Sequence, residues 1–142
     1  MKYLAPFRLA TYLLLVFCLG HTAGGMLGQK SLGAAADAVF AQMKAVQFDF
    51  NGADCTYYGF WFGFGLCASI FLLLSAAISW VLASVPSESW PVVAPIAWAL
   101  TVSQAANTYL SFRYFFLGPA LFGVLITGLM ALGTWREARA AK

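Results

Sequence analysis

The only histidine of the chain, His21, lies in an apolar run and is surrounded by glycines, in the stretch 20–28 (GHTAGGMLG). On a helix, positions 21, 24, 25 and 28 share one face, so a neighbouring helix or a ligand can approach the imidazole closely. Histidine exchanges a proton near neutral pH, and an ionisable side chain at membrane depth marks a functional site by default. Two interpretations stay open: an acid–base site, or a histidine that hydrogen-bonds helices packed through small residues.

A second set of polar side chains recurs at helical spacing in the third apolar run: Thr101, Gln104, Asn107, Thr108 and Ser111. Lipid cannot satisfy such groups, so this stripe is expected to face the interior of a helix bundle. His21 lies about 20 Å along its helix from Arg8, at a rise of roughly 1.5 Å per residue. On the same rule Gln104 lies about 18 Å from Val92, which places both side chains at one depth. Gln104 and Asn107 would then orient a carbonyl or hydroxyl of a substrate.

The segment 48–58, before the second apolar run, is the most polar part of the chain. Its Asn51-Gly52 pair is a turn signal. Asp54 and Tyr58 are candidates for a second proton-transfer group. Asp54 could instead cap the helix that starts near Thr56 by accepting backbone N–H bonds.

An aromatic residue and an arginine complete the predicted site. Trp61 either borders it or belongs to the aromatic belt of the membrane interface. Arg113 would lie at its mouth, where it could bind a phosphate, a carboxylate or lipid headgroups. We therefore expect His21 and Gln104 to line one outward-opening cavity roofed by residues 48–58. Its predicted border is formed by Tyr58, Trp61, Asn107 and Arg113.

The composition predicts the class of fold. Of the 142 residues, 62% are hydrophobic and 9% charged, which is typical of an integral membrane protein. Four apolar runs predict spans at about residues 8–28, 57–85, 91–111 and 114–135. We expect one all-α domain over 1–142, a four-helix antiparallel transmembrane bundle. Lys2 and Arg8 before an apolar run are typical of a secretory signal peptide, but we expect an uncleaved first span.

Residues 29–56 form the long loop between spans one and two. Within it, positions 34–47 have helical composition, with apolar residues at three- and four-residue spacing. This pattern predicts an amphipathic helix on the outer face, as a lid over the bundle or as an interfacial anchor.

The distribution of cations predicts the orientation. Of the eight lysines and arginines, five lie near the termini: Lys2, Arg8, Arg136, Arg139 and Lys142. The other three, on the opposite side, are Lys30, Lys44 and Arg113. Because cytoplasmic segments carry the excess of cations, we expect cytoplasmic termini in a bacterial inner membrane.

Several functional classes are excluded or disfavoured. No basic tract could follow a nucleic-acid backbone. Cys18, Cys55 and Cys67 have no C-x-x-C spacing, so neither a disulfide framework nor a thiol relay is indicated. Because no catalytic triad, phosphate loop or redox motif is present, we expect neither a metal nor a cofactor. A transporter would need a polar path through the inner half, which is almost entirely apolar.

Two hypotheses remain. The first is a small, cofactor-independent membrane enzyme or binding protein with His21 as acid–base residue, acting by isomerisation, cyclisation or hydration. Its partners would be a lipid-like or other apolar molecule and the membrane lipids. The alternative is a structural or assembly subunit that docks on a second copy or on another membrane protein. Its docking stripe would consist of Gly20, Gly24 and Gly28.

Overall fold

The computed structural model describes residues 6–28 and 30–140 and is 84% helical. Its helices are α1 (Pro6–Leu19), continued by a π-helix (Gly20–Leu27), α2 (Ala34–Ala45), α3 (Tyr57–Leu82), a short 3-10 helix (Ser87–Ser89), α4 (Trp90–Tyr114) and α5 (Leu117–Ala140). Two strands, β1 (Gln47–Phe50) and β2 (Ala53–Thr56), lie between α2 and α3. Lys2 and Lys142, two of the cations that support the predicted orientation, lie outside the described residues.

Within the described residues, three helices are long and apolar enough to cross a membrane: Pro6–Leu27, Tyr57–Leu82 and Leu117–Ala140. The chain is therefore an α-helical membrane protein. The predicted third span corresponds to α4, which has the length of a span but is not among these three. Its amide and hydroxyl side chains, Gln104 and Asn107 among them, lower its apolar character.

The residues group into two compact units, with boundaries after Cys18 and after Phe71. We call residues 19–71 the histidine unit, because they include His21. It contains the π-helix, α2, the two strands and the first half of α3. The remaining described residues, 6–18 and 72–140, form the core unit.

In the core unit, α4 and α5 are joined through threonines. The hydroxyls of Thr108 and Thr127 are 3.0 Å apart, and those of Thr101 and Thr134 are 3.4 Å apart. Gly123 on α5 permits the close approach, because a Cβ added there would lie 2.6 Å from Thr108 Oγ1. Small and hydroxyl-bearing residues at the contact are typical of helix pairs in membranes.

Hydroxyl groups also join α1 to α3 in the core unit. Ser79 Oγ donates to the Phe7 carbonyl at 2.9 Å, and Thr11 Oγ1 lies 3.5 Å from the Ala76 carbonyl. The apolar core is built around them. Its buried residues are Phe7, Ala10, Leu14, Ala76, Leu82, Trp90, Ala97, Leu100, Ile126 and Met130.

The polar stripe of α4 is buried at four of its five predicted positions: Thr101, Gln104, Thr108 and Ser111. The prediction is wrong for Asn107, whose side chain is exposed on the surface of the chain. The four buried positions follow one another at intervals of three, four and three residues. Asn107 lies one residue off this line, about 100° around the helix from Thr108.

The helix predicted over 34–47 is α2 of the histidine unit. This helix begins after Gly33 and ends at Ala45. After it, β1 and β2 pair antiparallel. Asn51 and Gly52 connect them with φ angles of 55° and 84°, as a type I′ hairpin turn requires. The sequence predicted this turn, but not the strands on either side of it.

Asp54 does not cap α3, which corrects one of its two predicted roles. It lies in β2, directly opposite Asp49 on β1, and α3 begins only at Tyr57. The hydroxyl of Thr56 instead accepts the backbone N–H of Gly59 at 3.0 Å. Because the strand continues to Thr56, Asp54 lies too far from the free amides of the first helical turn to bind them.

Candidate functional site

His21 lies in a π-helix, a conformation that is rare in proteins and frequent at functional sites. Glycine is a poor α-helix former, and this segment has three of them: Gly20, Gly24 and Gly25. A π-helix hydrogen-bonds residues five apart, so His21 and Met26 lie one turn from each other. Both side chains contact Gly65 of α3, the first through a hydrogen bond and the second by packing over its Cα.

The imidazole of His21 is held by one of its two nitrogens. Nε2 lies 3.0 Å from the backbone oxygen of Gly65. Because a carbonyl oxygen only accepts, Nε2 must carry the proton, and in the neutral ring Nδ1 then has the free lone pair. Nδ1 faces Gly25, where an added Cβ would lie 3.8 Å away. The half-buried ring therefore has a defined orientation, with Nδ1 as its basic atom.

A second pair of polar groups joins the π-helix to α3. Thr22 Oγ1 donates to Ser69 Oγ at 2.7 Å, and Ser69 Oγ lies 3.4 Å from the same Gly65 oxygen. Ser69 is buried. The Gly65 carbonyl therefore accepts from two side chains, one on each helix.

Two residues predicted for the site share a face of α3 with this carbonyl. Tyr58, Trp61, Gly65 and Ser69 follow one another at intervals of three and four residues. The rings of Tyr58 and Trp61 are 5.6 Å apart. Tyr58 lies about 10 Å along the helix axis from Gly65, or two turns. Tyr58, Trp61 and Gly65, the hydrogen-bond partner of His21, therefore lie along one face of α3.

Lys44 is a residue of this region that the sequence analysis used only as a charge for the orientation. Its Nζ lies 4.5 Å from the centre of the Tyr58 ring, within the range of a cation–π contact. One turn earlier on α2, the ring of Phe40 packs edge-on against Trp61 at 5.5 Å. The four-residue spacing of Phe40 and Lys44 was the signal that both would face the same partner helix.

An open cavity of about 330 Å³ lies beside these residues in the histidine unit. Apolar atoms line it, from Ala38, Val39, Gln42, Met43, Val46 and Tyr57. Ligand sites in proteins begin at about this volume. The cavity has the size and the lining for part of an apolar molecule.

The candidate site rests on the hydrogen bond between His21 and the Gly65 carbonyl. No known protein family, curated protein or solved structure matches this chain. Among residues 6–28 and 30–140, no three histidine, cysteine, aspartate or glutamate side chains lie together as ligands of one metal ion.

Gln104, Asn107 and Arg113 lie in the core unit. Gln104 is 4% exposed and donates from Nε2 to Ser75 Oγ at 3.1 Å, so it joins α4 to α3. Asn107 is exposed, and so is Arg113, whose guanidinium lies 5.4 Å from the centre of the Tyr114 ring. The cavity that Gln104 was expected to share with His21 stays a prediction.

Proposed function

We propose that this chain is a small membrane enzyme, or a closely related binding protein, in which His21 moves a proton to or from a lipid-like or other apolar molecule. The hydrogen bond from His21 Nε2 to the Gly65 carbonyl carries the proposal. A general base needs a fixed ring and a free lone pair, and this bond supplies the first while leaving the second on Nδ1. Isomerisation, cyclisation and hydration are the reactions that such a base supports without a redox group.

The other site residues have supporting roles in this proposal. Tyr58, on the α3 face that includes Gly65, or Asp54, on the hairpin, would return the proton. Gln104 would orient a carbonyl or hydroxyl group of the substrate, and Trp61 would pack against its apolar part. Arg113 would lie at the entrance and bind an anionic end of the molecule.

The chemistry of the surroundings favours an apolar substrate. The cavity of about 330 Å³ is lined by apolar atoms, and Tyr57 belongs to its wall. Next to it, Tyr58 contacts the Lys44 ammonium. An apolar molecule with one polar or anionic end, entering from the outer leaflet, would fit both features.

The membrane arrangement that we propose is a four-helix antiparallel bundle in the bacterial inner membrane, with cytoplasmic termini and α2 on the outer face. Support comes from the order of contacts in the core unit. Along α4 from Thr101 to Thr108, the partner on α5 moves back from Thr134 to Thr127. The three described cations near the ends of the chain, Arg8, Arg136 and Arg139, agree with this orientation.

A second function is favoured by a separate observation. Gly20 and Gly24 are exposed, and a Cβ added to either would meet no other atom within 4 Å. Such a surface suits the docking of a partner helix in a membrane complex or homo-oligomer. Gly28, the third glycine of the predicted stripe, is also exposed, although a Cβ there would lie 2.6 Å from the Ala23 carbonyl.

Two substitutions separate the functions. His21→Asn should lower the amount of apolar small molecule that co-purifies with the detergent-solubilised protein at least about tenfold, since the basic nitrogen and its hydrogen bond are lost. Gly24→Leu should leave unchanged both this amount and the size of any complex that the solubilised protein forms. Mass spectrometry of the extracted molecules and light scattering of the same sample give the two quantities.

The opposite result would favour assembly. Normal retention of small molecules by His21→Asn would contradict the enzyme proposal. Dissociation of a complex by Gly24→Leu in the same experiment would support docking through Gly20 and Gly24.

A further inference from the structure

The β-hairpin of the histidine unit has one apolar and one polar face. In the register of β1 and β2, Phe48 lies opposite Cys55, and Phe50 lies opposite Ala53. Directly opposed residues share a face of the sheet, as do alternate residues of one strand. We call these four residues the apolar hairpin face. The polar face consists of Gln47, Asp49, Asp54 and Thr56.

The apolar hairpin face packs along the start of α3. The rings of Phe48 and Phe50 lie 5.7 and 5.6 Å from the ring of Phe60. The Phe48 ring is also 4.7 Å from that of Tyr57, the first residue of the helix. Phe60 in turn stacks on Phe64 at 6.1 Å. The hairpin therefore folds back beside the first two turns of α3.

This packing leaves a large part of the aromatic cluster exposed. Phe50 is 55% exposed and Phe64 is 71% exposed. Phe71, seven residues after Phe64 and on the same face of α3, is exposed as well. Because α3 is long and apolar enough to cross a membrane, this face of the helix contacts lipid. The exposed rings of the hairpin therefore continue the apolar surface of a membrane span.

The charges of the hairpin separate with its faces. Between Gln47 and Phe64 the sequence has no lysine or arginine, and its two acids, Asp49 and Asp54, both lie on the polar face. The apolar face can thus enter lipid without taking a charge with it. The hairpin is a two-stranded sheet, however, and the unpaired backbone groups at its edges cannot enter the hydrocarbon core. These two conditions are met together at the membrane interface.

We infer that the apolar hairpin face is inserted into the lipid bilayer, in the leaflet at which α3 begins. Phe64 lies about 10 Å along the axis of α3 from Tyr57, and Phe60 about 5 Å. Amphipathic elements at the interface bury their apolar face about 5 to 10 Å into the boundary of headgroups and acyl chains. Phe50, which contacts Phe60, reaches the shallower part of this range. The inserted rings hold the start of α3 at a fixed depth, without a cation that would select anionic headgroups.

Electron paramagnetic resonance of the full chain in bilayer discs tests the inserted face. Nitroxide labels are placed by Ala53→Cys or Asp54→Cys in a chain whose three native cysteines are replaced by alanine. The two positions are neighbours on β2, both exposed, and lie on opposite faces. Oxygen collects in lipid, whereas a water-soluble nickel chelate is excluded from it. The ratio of oxygen to nickel collision rates should be at least about threefold higher at position 53, because only the apolar face reaches interfacial depth.

Two results would overturn the inference. Equal ratios at the two positions would place both faces in water. Low collision rates with both reagents at position 53 would mean that protein, and not lipid, covers the apolar hairpin face.

A charge on each face tests whether the phenylalanines cause the insertion. With the label at position 53, Phe50→Glu should lower the ratio about threefold, because a carboxylate is costly to hold in lipid. Gln47→Glu is the matched control, because it adds the same charge to the polar face. It should change the ratio less than about 1.5-fold, since that face already lies in water. An unchanged ratio in Phe50→Glu, or equal changes in the two variants, would contradict the inference.

Discussion

Gly123→Val is expected to lower the free energy of unfolding by about 2 to 3 kcal/mol, the cost of overpacking a close helix contact. A Cβ at this position would lie 2.6 Å from Thr108 Oγ1 and 3.2 Å from the Thr108 Cα. The second distance involves the backbone, so rotation of the threonine cannot relieve the contact. The two helices would have to separate, which would break the 3.0 Å bond between Thr108 and Thr127.

Gly128→Val provides the control for this prediction on the same helix. A Cβ at Gly128 would meet no atom within 4 Å, and the residue is exposed. Its free energy of unfolding should stay within about 0.5 kcal/mol of the wild-type value. Reversible unfolding by dodecyl sulfate in mixed micelles, followed by circular dichroism, measures both. Equal stability of the two variants would contradict the close contact of α4 and α5.

Trp90→Ala is expected to cost about 3 kcal/mol of stability, the lower part of the range for truncating a buried tryptophan. The side chain is 1% exposed and belongs to the apolar core. It packs against Phe7 at the start of α1, so its removal leaves a cavity where two helices meet. The same unfolding measurement applies.

Trp98→Ala is the matched control, since Trp98 lies on the same helix but is 46% exposed. Truncation there leaves no enclosed cavity, and we expect a loss below about 1 kcal/mol. If Trp98→Ala were as destabilising as Trp90→Ala, the buried position of Trp90 would be wrong.

The long helices could be predicted, because an apolar run that is long enough to cross a membrane can adopt few structures other than a helix. The run at 57–85 became α3, Tyr57–Leu82, and the pattern at 34–47 became α2, Ala34–Ala45. The strands were missed although a signal existed. Phe48 and Phe50 alternate as in a β-strand, and both rings contact Phe60 at 5.7 and 5.6 Å.

The candidate site was predicted only in part. His21 was identified from its residue type, and Tyr58 and Trp61 from their place at a helix start. The π-helix was not predicted, and its two contacts are with a residue distant in the sequence: the Gly65 carbonyl accepts from His21, and Met26 covers the bare Gly65 Cα. A pattern of glycines indicates that another helix can pack closely there. It does not show which backbone oxygen of that helix will face the histidine.

The hydrogen bond of His21 can be measured directly, because the chain contains one histidine. Labelling it with ¹⁵N gives a single pair of imidazole resonances in solid-state NMR of the protein in lipid bilayers. When the ring is neutral, we expect a protonated Nε2 and an unprotonated Nδ1, with the Nε2 proton close to a carbonyl carbon assigned to Gly65. A proton on Nδ1, or rapid exchange between the two nitrogens, would contradict the assignment of Nδ1 as the base.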